Sequence, residues 1–358
     1  MPARVRVAVD APQHTGLTAP LDYESERALS PGTLVSVPLG RREVPGVVWH
    51  GDTSLDAAAE LRPVTAALGS LPPLGAAWRE LVDFAAAYYQ RSTGEIALSV
   101  LPPELRKLDD AQLANRIKKL HKALAAGPRA ETASDAPALT PAQTKVLERI
   151  AAAAFVGAPL PVLLHGVTGS GKTEVYLGAA ARALAAGRQA LVLVPEINLT
   201  PQLEARFAER FAGRHIVSLH SALTPAQRLR SWLAAHLGLA DLVLGTRLAV
   251  FASMPRLGLI VVDEEHDPSY KQQEGARYSA RDLAVYRGRL EKAIVVLGSA
   301  TPSLESWRHA TLGRYRHLRL PSRVTPCAPP RIEIVDLRGK DIDAGGGLSP
   351  ELIEAIQG

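Results

Sequence analysis

Cys327 is the one cysteine in 358 residues. It excludes an internal disulfide and any cysteine-cluster metal site within these residues, so no zinc ligands are expected among them. Such sparing cysteine use fits a reducing compartment, and a cytoplasmic location is expected. Aromatic residues make up only 5%, and no run of apolar residues is long enough to cross a bilayer. The opening MPARVRVAVDAPQHTG lacks an apolar h-region, so no signal peptide is expected. What the chain does have is 47% apolar and 22% charged residues, the balance of a globular protein with length for two or three domains. Its formal net charge of +5 suits a polyanionic partner without proving one. There is no internal repeat.

Within a first domain of residues 1–105, residues 1–70 read as short strands punctuated by proline and glycine, at Val5–Val9, Leu34–Val37 and Val44–Trp49. A helix over 74–91 follows, with Trp78, Leu81, Val82 and Ala85 on one face. Together these predict a small β-rich domain with a C-terminal helix. Residues 106–138 hold a basic helix (Arg106, Lys107, Arg116, Lys118, Lys119, Lys122) and then the polar linker GPRAETASDAPA. From 139 to 325, apolar strands alternate with helices, at Val162–Leu164, Ala190–Val194, Ile216–Leu219, Leu242–Leu244, Leu259–Val262 and Ile294–Leu297. That alternation predicts an α/β domain with a parallel sheet covered on both faces, whose ligands bind at the carboxyl ends of the strands.

The loop after the first of these strands is Gly166-Val-Thr-Gly-Ser-Gly-Lys-Thr173, a complete phosphate-binding loop between strand and helix. Its backbone N–H groups, from Gly166, Thr168, Gly169, Ser170 and Gly171, can converge on phosphate oxygens at a helix N-terminus. Lys172 can reach the β- and γ-phosphates, and the Thr173 hydroxyl can bind Mg2+. After Leu259–Val262 comes Asp263-Glu264-Glu265-His266. Asp263 is placed for the metal and Glu264 to orient or deprotonate a water. After Ile294–Leu297 comes Gly298-Ser-Ala-Thr-Pro302. Ser299 and Thr301 can hydrogen-bond the acidic loop, with His266, and report the nucleotide state; a plain turn with a helix cap at Thr301 is the other reading.

The segments GVTGSGKTEVYL, VLVPEINLTPQL, LHSALT, GTRLAVFA, VVDEEHDPSYKQQEGARYSARDLAVYRG and LGSATPSLESW, in this order, resemble the PriA family of primosomal replication-restart helicases, of superfamily 2. The likeness is strong over 139–358 and looser over 1–105. It implies a RecA-like helicase lobe, ATP and Mg2+ as cofactors, and forked and single-stranded DNA as partners, with single-strand binding protein and primosome proteins besides. A monomer is expected. Gln143, in LTPAQ, looks like an adenine-reading glutamine; it reads equally as a polar residue at a helix start. Pro195–Pro201 and Gly245–Arg247 look like loops on the DNA backbone, with Thr246 and Arg247 on phosphates. Tyr270, Lys271, Gln272 and Tyr278, in the loop after the acidic motif, are placed to stack bases and hold phosphates.

The first region resembles the family domain that captures a 3′ DNA end, and Asp22, Tyr23, Gly40 and Arg62 are the matched residues. Leu21 stands where the family usually has phenylalanine, which removes ring stacking at that position. The stretch between Leu105 and Thr140 is too short for the family's winged helix, which is expected to be missing or reduced to the basic helix. That helix either touches duplex phosphates or presents a solvated face. The resemblance stops before the zinc region and the second helicase lobe. Arginines from that lobe are worth roughly 10³–10⁵ in turnover, so these residues alone are expected to bind ATP and DNA but hydrolyse poorly. Two functions follow as expectations: an ATP-dependent 3′-to-5′ helicase acting at abandoned forks, or a fork-binding module that works without hydrolysis. A double-strand translocase is a more distant option, against which SYKQQEG and Leu21-Asp-Tyr weigh.

Overall fold

The computed structural model describes residues 3–11, 19–51, 61–125, 137–153, 159–325, 332–338 and 347–357. Cys327 and most of the predicted polar linker lie outside them. Residues 1–324 form one compact unit and 325–358 another. In the second, α10 (Pro350–Gln357) is the single helix among the described residues.

The first sheet is antiparallel. Its strands are β1 (Ala3–Val9), β2 (Leu21–Ser25), β3 (Leu34–Leu39), β4 (Arg42–Gly51) and the short β5 (Ala66–Ala67), in the order β2-β1-β4-β3-β5. β1 alternates: Val5 and Val7 are buried in a small core with Tyr23, Val35, Val37 and Val48, and Arg4 and Arg6 point the other way. β3 and β4 are joined by a two-residue turn at Gly40, whose φ of +62° explains the glycine.

Helices α1 (Ala76–Tyr88), α2 (Thr93–Ser99) and α3 (Asp110–Ala125) follow. α1 buries the predicted face, Trp78, Leu81, Val82 and Ala85. These helices join the first sheet to the second. The Trp78 indole N–H donates to Phe251 O at 2.7 Å, and the Phe84 and Tyr286 rings stack at 3.7 Å. α3 buries Leu113 and Leu120 while Arg116, Lys118, Lys119 and Lys122 stay exposed.

The second sheet has seven strands, all parallel. They are β6 (Val162–Gly166), β7 (Gln189–Leu193), β8 (Ile216–Leu219), β9 (Leu242–Gly245), β10 (Leu257–Val262), β11 (Ile294–Ser299) and β12 (Arg316–Leu320). Their order is β12-β6-β11-β10-β7-β9-β8. The connecting helices are α4 (Pro141–Ala153), ahead of β6, then α5 (Lys172–Ala185), α6 (Pro201–Arg210), α7 (Pro225–His236), α8 (Ala280–Glu291) and α9 (Leu304–Thr311). β7 and the four residues from Leu259 to Val262 are buried throughout, as a sheet covered on both faces requires. The order matters for function. β11 lies between β6 and β10, so the phosphate loop and the acidic loop emerge on either side of Gly298-Ser-Ala-Thr.

Candidate functional site

The loop between β6 and α5 takes the form its glycines allow. Gly169 and Gly171 have φ of +79° and +78°. A Cβ on Gly166 would stand 2.5 Å from Ser170 Oγ, and one on Gly171 2.2 Å from Gln143 Nε2. α6, α7, α8 and α9 are capped by the side chains of Thr200, Thr224, Ser279 and Ser303; α5 begins at Gly171 with no side-chain cap. Its first turn is left for an outside acceptor. Ser170 Oγ is buried without a hydrogen-bond partner. Lys172 Nζ donates to Gly166 O at 3.1 Å, inside the loop, while Thr168 is exposed and Thr173 half-buried at the helix start. Left-handed glycines, an unpartnered hydroxyl and an uncapped helix fit a nucleotide triphosphate. Thr173 and Asp263 are the residues that would hold its Mg2+.

Gln143 is almost fully buried. Its Oε1 accepts from Thr140 N at 2.8 Å and its Nε2 donates to Ser170 O at 3.0 Å. The helix-start reading therefore describes its contacts, and it also ties α4 to the phosphate loop.

At the end of β10, burial raises the pKa of Asp263, although a hydrogen bond from the Tyr176 hydroxyl to Oδ1 at 2.9 Å opposes the shift. Glu264 has φ of +43°, a left-handed conformation rare outside glycine. Its carboxylate lies 3.6 Å from Lys172 Nζ and 3.7 Å from His266 Nδ1. His266 continues the chain, with Nδ1 2.8 Å from Ser299 Oγ and Nε2 3.5 Å from Thr301 Oγ1. Thus Lys172, Glu264, His266, Ser299 and Thr301 come together as one polar path. Thr301 is not a helix cap: its N–H donates to Ser299 Oγ, and Ser303 caps α9. Glu265, to which sequence reasoning gave no role, is buried. It accepts from Ser303 N, Ser303 Oγ and Ser306 Oγ, and pairs with Arg281 at 3.4 Å.

The residues expected on DNA divide. Tyr270 is 3% exposed, its hydroxyl within hydrogen-bonding distance of Asp263 O and Leu193 O. Tyr278 is 6% exposed, edge-on to Phe251, and burial pushes its pKa up to about 12. Neither ring offers a face to a base, so the expected stacking by Tyr270 and Tyr278 is corrected: both anchor the loop to the core. Lys271 remains exposed and Gln272 half-exposed. Arg247 is bound within the protein, donating to Ser269 O at 2.6 Å and Lys271 O at 3.3 Å, and so pins the same loop. Thr246 is buried apart from its share of a cavity of about 540 Å³ that Arg247, Gln272, His220 and Ser221 also line. Ile197, in the Pro195–Pro201 loop, is exposed.

The N-terminal set also divides. Tyr23 is buried, with its hydroxyl donating to Pro38 O, and Arg62 donates to Gly40 O at 2.7 Å. Asp22, next to Tyr23 on β2, faces the opposite side. A hydrogen bond from Arg4 at 2.7 Å, with Arg6 at 3.4 Å, holds its carboxyl below the usual range. The four matched residues therefore stand in two separate groups, because strand neighbours point to opposite faces.

The 3′DNA-binding domain (3′BD) model of PriA matches residues 6–102, and the DEAD/DEAH box helicase model matches residues 140–309. Replication restart protein PriA of Rickettsia felis is 35% identical over 345 residues, which is 94% of this chain and 49% of that protein. The protein of the same name from Synechocystis sp. is 47% identical over 217 residues, 58% of this chain and 25% of that one. The chain thus spans about half the length of its Rickettsia relative. Among solved structures, RecG bound to a three-way DNA junction is similar at 23% identity and a TM-score of 0.41, over 70% of this chain and 30% of that one.

Proposed function

We infer that this chain, a member of the PriA family of replication restart proteins, supplies the nucleotide-binding lobe and the 3′-end-binding domain of an ATP-dependent 3′-to-5′ DNA helicase that acts at stalled or abandoned forks. The observation that carries this reading is the pairing of an uncapped phosphate loop with a metal-type carboxylate across β11, in a chain whose first hundred residues match a 3′ DNA-binding domain. The domain limits 1–105, 106–138, 139–325 and 326–358, the cytoplasmic location, the monomeric state and the partnership with single-strand binding protein and primosome proteins belong to the same proposal.

When bound, ATP·Mg2+ would supply a phosphoryl group for transfer to water; Lys172 would balance phosphate charge, and Thr173 with Asp263 would hold the metal. Glu264 accepts the proton of the attacking water on its carboxylate, whose place is set by Lys172 and His266. His266, Ser299 and Thr301 carry the change in Glu264 to the loop that follows β11. Lys271, Gln272, Thr246 and Arg247 form the DNA-side contact; on the first domain Asp22, on the face of Arg4 and Arg6, is the contact for a 3′ hydroxyl, with Arg62 and Gly40 a separate contact that the buried Tyr23 supports.

The test is ATP hydrolysis with and without forked DNA bearing a 3′ end at the branch, with DNA binding followed in parallel. Lys172→Ala is expected to lower DNA-stimulated turnover by about 10²–10³-fold and to leave DNA affinity within about twofold, since Lys172 is buried at the nucleotide loop. Slow turnover with tight fork binding is the result expected of a lobe whose catalytic arginines come from a second lobe; tight fork binding by a chain that binds no ATP would favour the fork-binding module instead. Absence of fork binding would sink both readings.

A further inference from the structure

Tyr176 lies in the segment GVTGSGKTEVYL, beyond the phosphate loop proper, and has no role assigned so far. It lies four residues after Lys172 on α5, the spacing that sets two side chains on one helix face. Its ring is buried and its hydroxyl donates to Asp263 Oδ1 at 2.9 Å. The two residues belong to elements that are not neighbours: α5 springs from β6, Asp263 ends β10, and β11 runs between. To make its bond, Tyr176 has to pass over β11, and it passes at Gly298. A Cβ there would stand 1.6 Å from the Tyr176 hydroxyl and 2.7 Å from Cζ. Gly298 is not among the glycines with positive φ, so backbone conformation does not explain it. Passage of the phenol does.

We propose that Tyr176 is a positioning residue for the metal carboxylate, and that Gly298 is glycine to let it reach. This rests on reading Asp263 as the Mg2+ residue. The carboxylate torsion is broad and roughly two-fold when nothing fixes it, and a buried carboxylate needs a donor. Tyr176 supplies the donor and fixes the torsion. It also makes the first position of Gly298-Ser-Ala-Thr a neighbour of the metal residue, so two loops that flank the nucleotide are held by one phenol.

The experiment uses the full chain and fluorescent N-methylanthraniloyl-ATP, titrated at increasing Mg2+. Tyr176→Phe keeps the ring and deletes the hydroxyl. The Mg2+ concentration at half-maximal binding is expected to rise about tenfold, the size of a lost hydrogen bond to a charged group, with metal-free nucleotide affinity unchanged. Gly298→Ala, which displaces the phenol, is expected to give the same shift. In the double variant the hydroxyl is already gone, so the second substitution adds no further shift in the Mg2+ requirement, although Cζ at 2.7 Å still meets the new methyl and the melting temperature falls. A purely structural role would lower the melting temperature and leave the Mg2+ requirement where it was, and that result would overturn the proposal. Failure of the unsubstituted chain to bind nucleotide would overturn the phosphate-loop reading, and this proposal with it.

Discussion

In the antiparallel sheet, β1 sends Arg4 and Arg6 to one face and Val5 and Val7 to the other; in the parallel sheet, β10 buries Leu259 to Val262 on both faces. A strand covered on both sides has no room for working side chains, so polar chemistry is displaced to its carboxyl end. A strand covered on one side can carry a charge at every second position, and nothing local says which charge binds a ligand. The consequence is visible in two carboxylates. Glu265, just past β10, is enclosed by two serines and Arg281. Asp22, within β2, pairs with two arginines at a partly open surface.

The largest separation between the sheets is therefore expected from removing those carboxylates. Glu265→Ala would strand the Arg281 guanidinium and the hydroxyls of Ser303 and Ser306. It is expected to destabilise the fold by about 3–5 kcal/mol, the range for breaking a buried pair, read as a lower denaturant midpoint at unchanged slope. A shift under about 1 kcal/mol would show that strand-end polar groups in the covered sheet are no more tightly held than surface ones, and the comparison would fail.

The same contrast explains what was legible in the sequence. Buried parallel strands write themselves as apolar runs, and the loops after them therefore could be located; the phosphate loop, Asp263 and Glu264 were found this way. β12, RHLRL, was missed because it is an edge strand pairing only with β6, and its basic residues alternate with Leu318 and Leu320. α2 was missed because seven residues give too short a period to detect. Tyr270 and Tyr278 were misjudged for a different reason. A tyrosine in a polar loop reads as an exposed ring, but these two turn inward, one to the carbonyls of Leu193 and Asp263 and the other to Phe251. Tyr176 did leave a signal, its four-residue offset from Lys172, and its partner Asp263 could be identified only once strand order was known. Asp22 and Tyr23 were grouped by the family resemblance, but they are neighbours on a strand and so face opposite sides.

A smaller effect is expected where the two sheets meet. His236 on α7 donates from Nε2 to Pro72 O at 2.8 Å, and its Nδ1 lies 2.9 Å from Ser253 Oγ, which fits a neutral ring. Burial lowers its pKa below the ordinary 6.5. The unfolded chain then binds the extra proton first, so stability is full above pH 6.5 and declines as the pH falls from there toward the folded value. His236→Gln is expected to flatten the slope of melting temperature against pH below pH 6.5. An unchanged slope would place the acid sensitivity elsewhere.

The smallest effect on stability is expected on the open face, and there it becomes most informative about function. Asp22→Asn removes a partly exposed ion pair, worth about 0–1 kcal/mol. Because the Arg4 hydrogen bond lowers the Asp22 pKa, that contribution is present above the ordinary value of 3.8 and is lost as the pH falls through the folded value. At neutral pH the variant should therefore fold normally, and DNA binding can be compared without correction for unfolding. If Asp22 accepts a terminal 3′-hydroxyl, affinity for a 3′-hydroxyl end should fall while affinity for a 3′-phosphate end holds or rises. If instead its task is to neutralise Arg4 and Arg6, both ends should bind more tightly, since the substitution removes a negative charge from a basic surface. Equal strengthening would sharpen the contrast between the sheets: the open face of the first would then be a surface held in check by its own carboxylate, while the covered sheet keeps its chemistry at the strand ends.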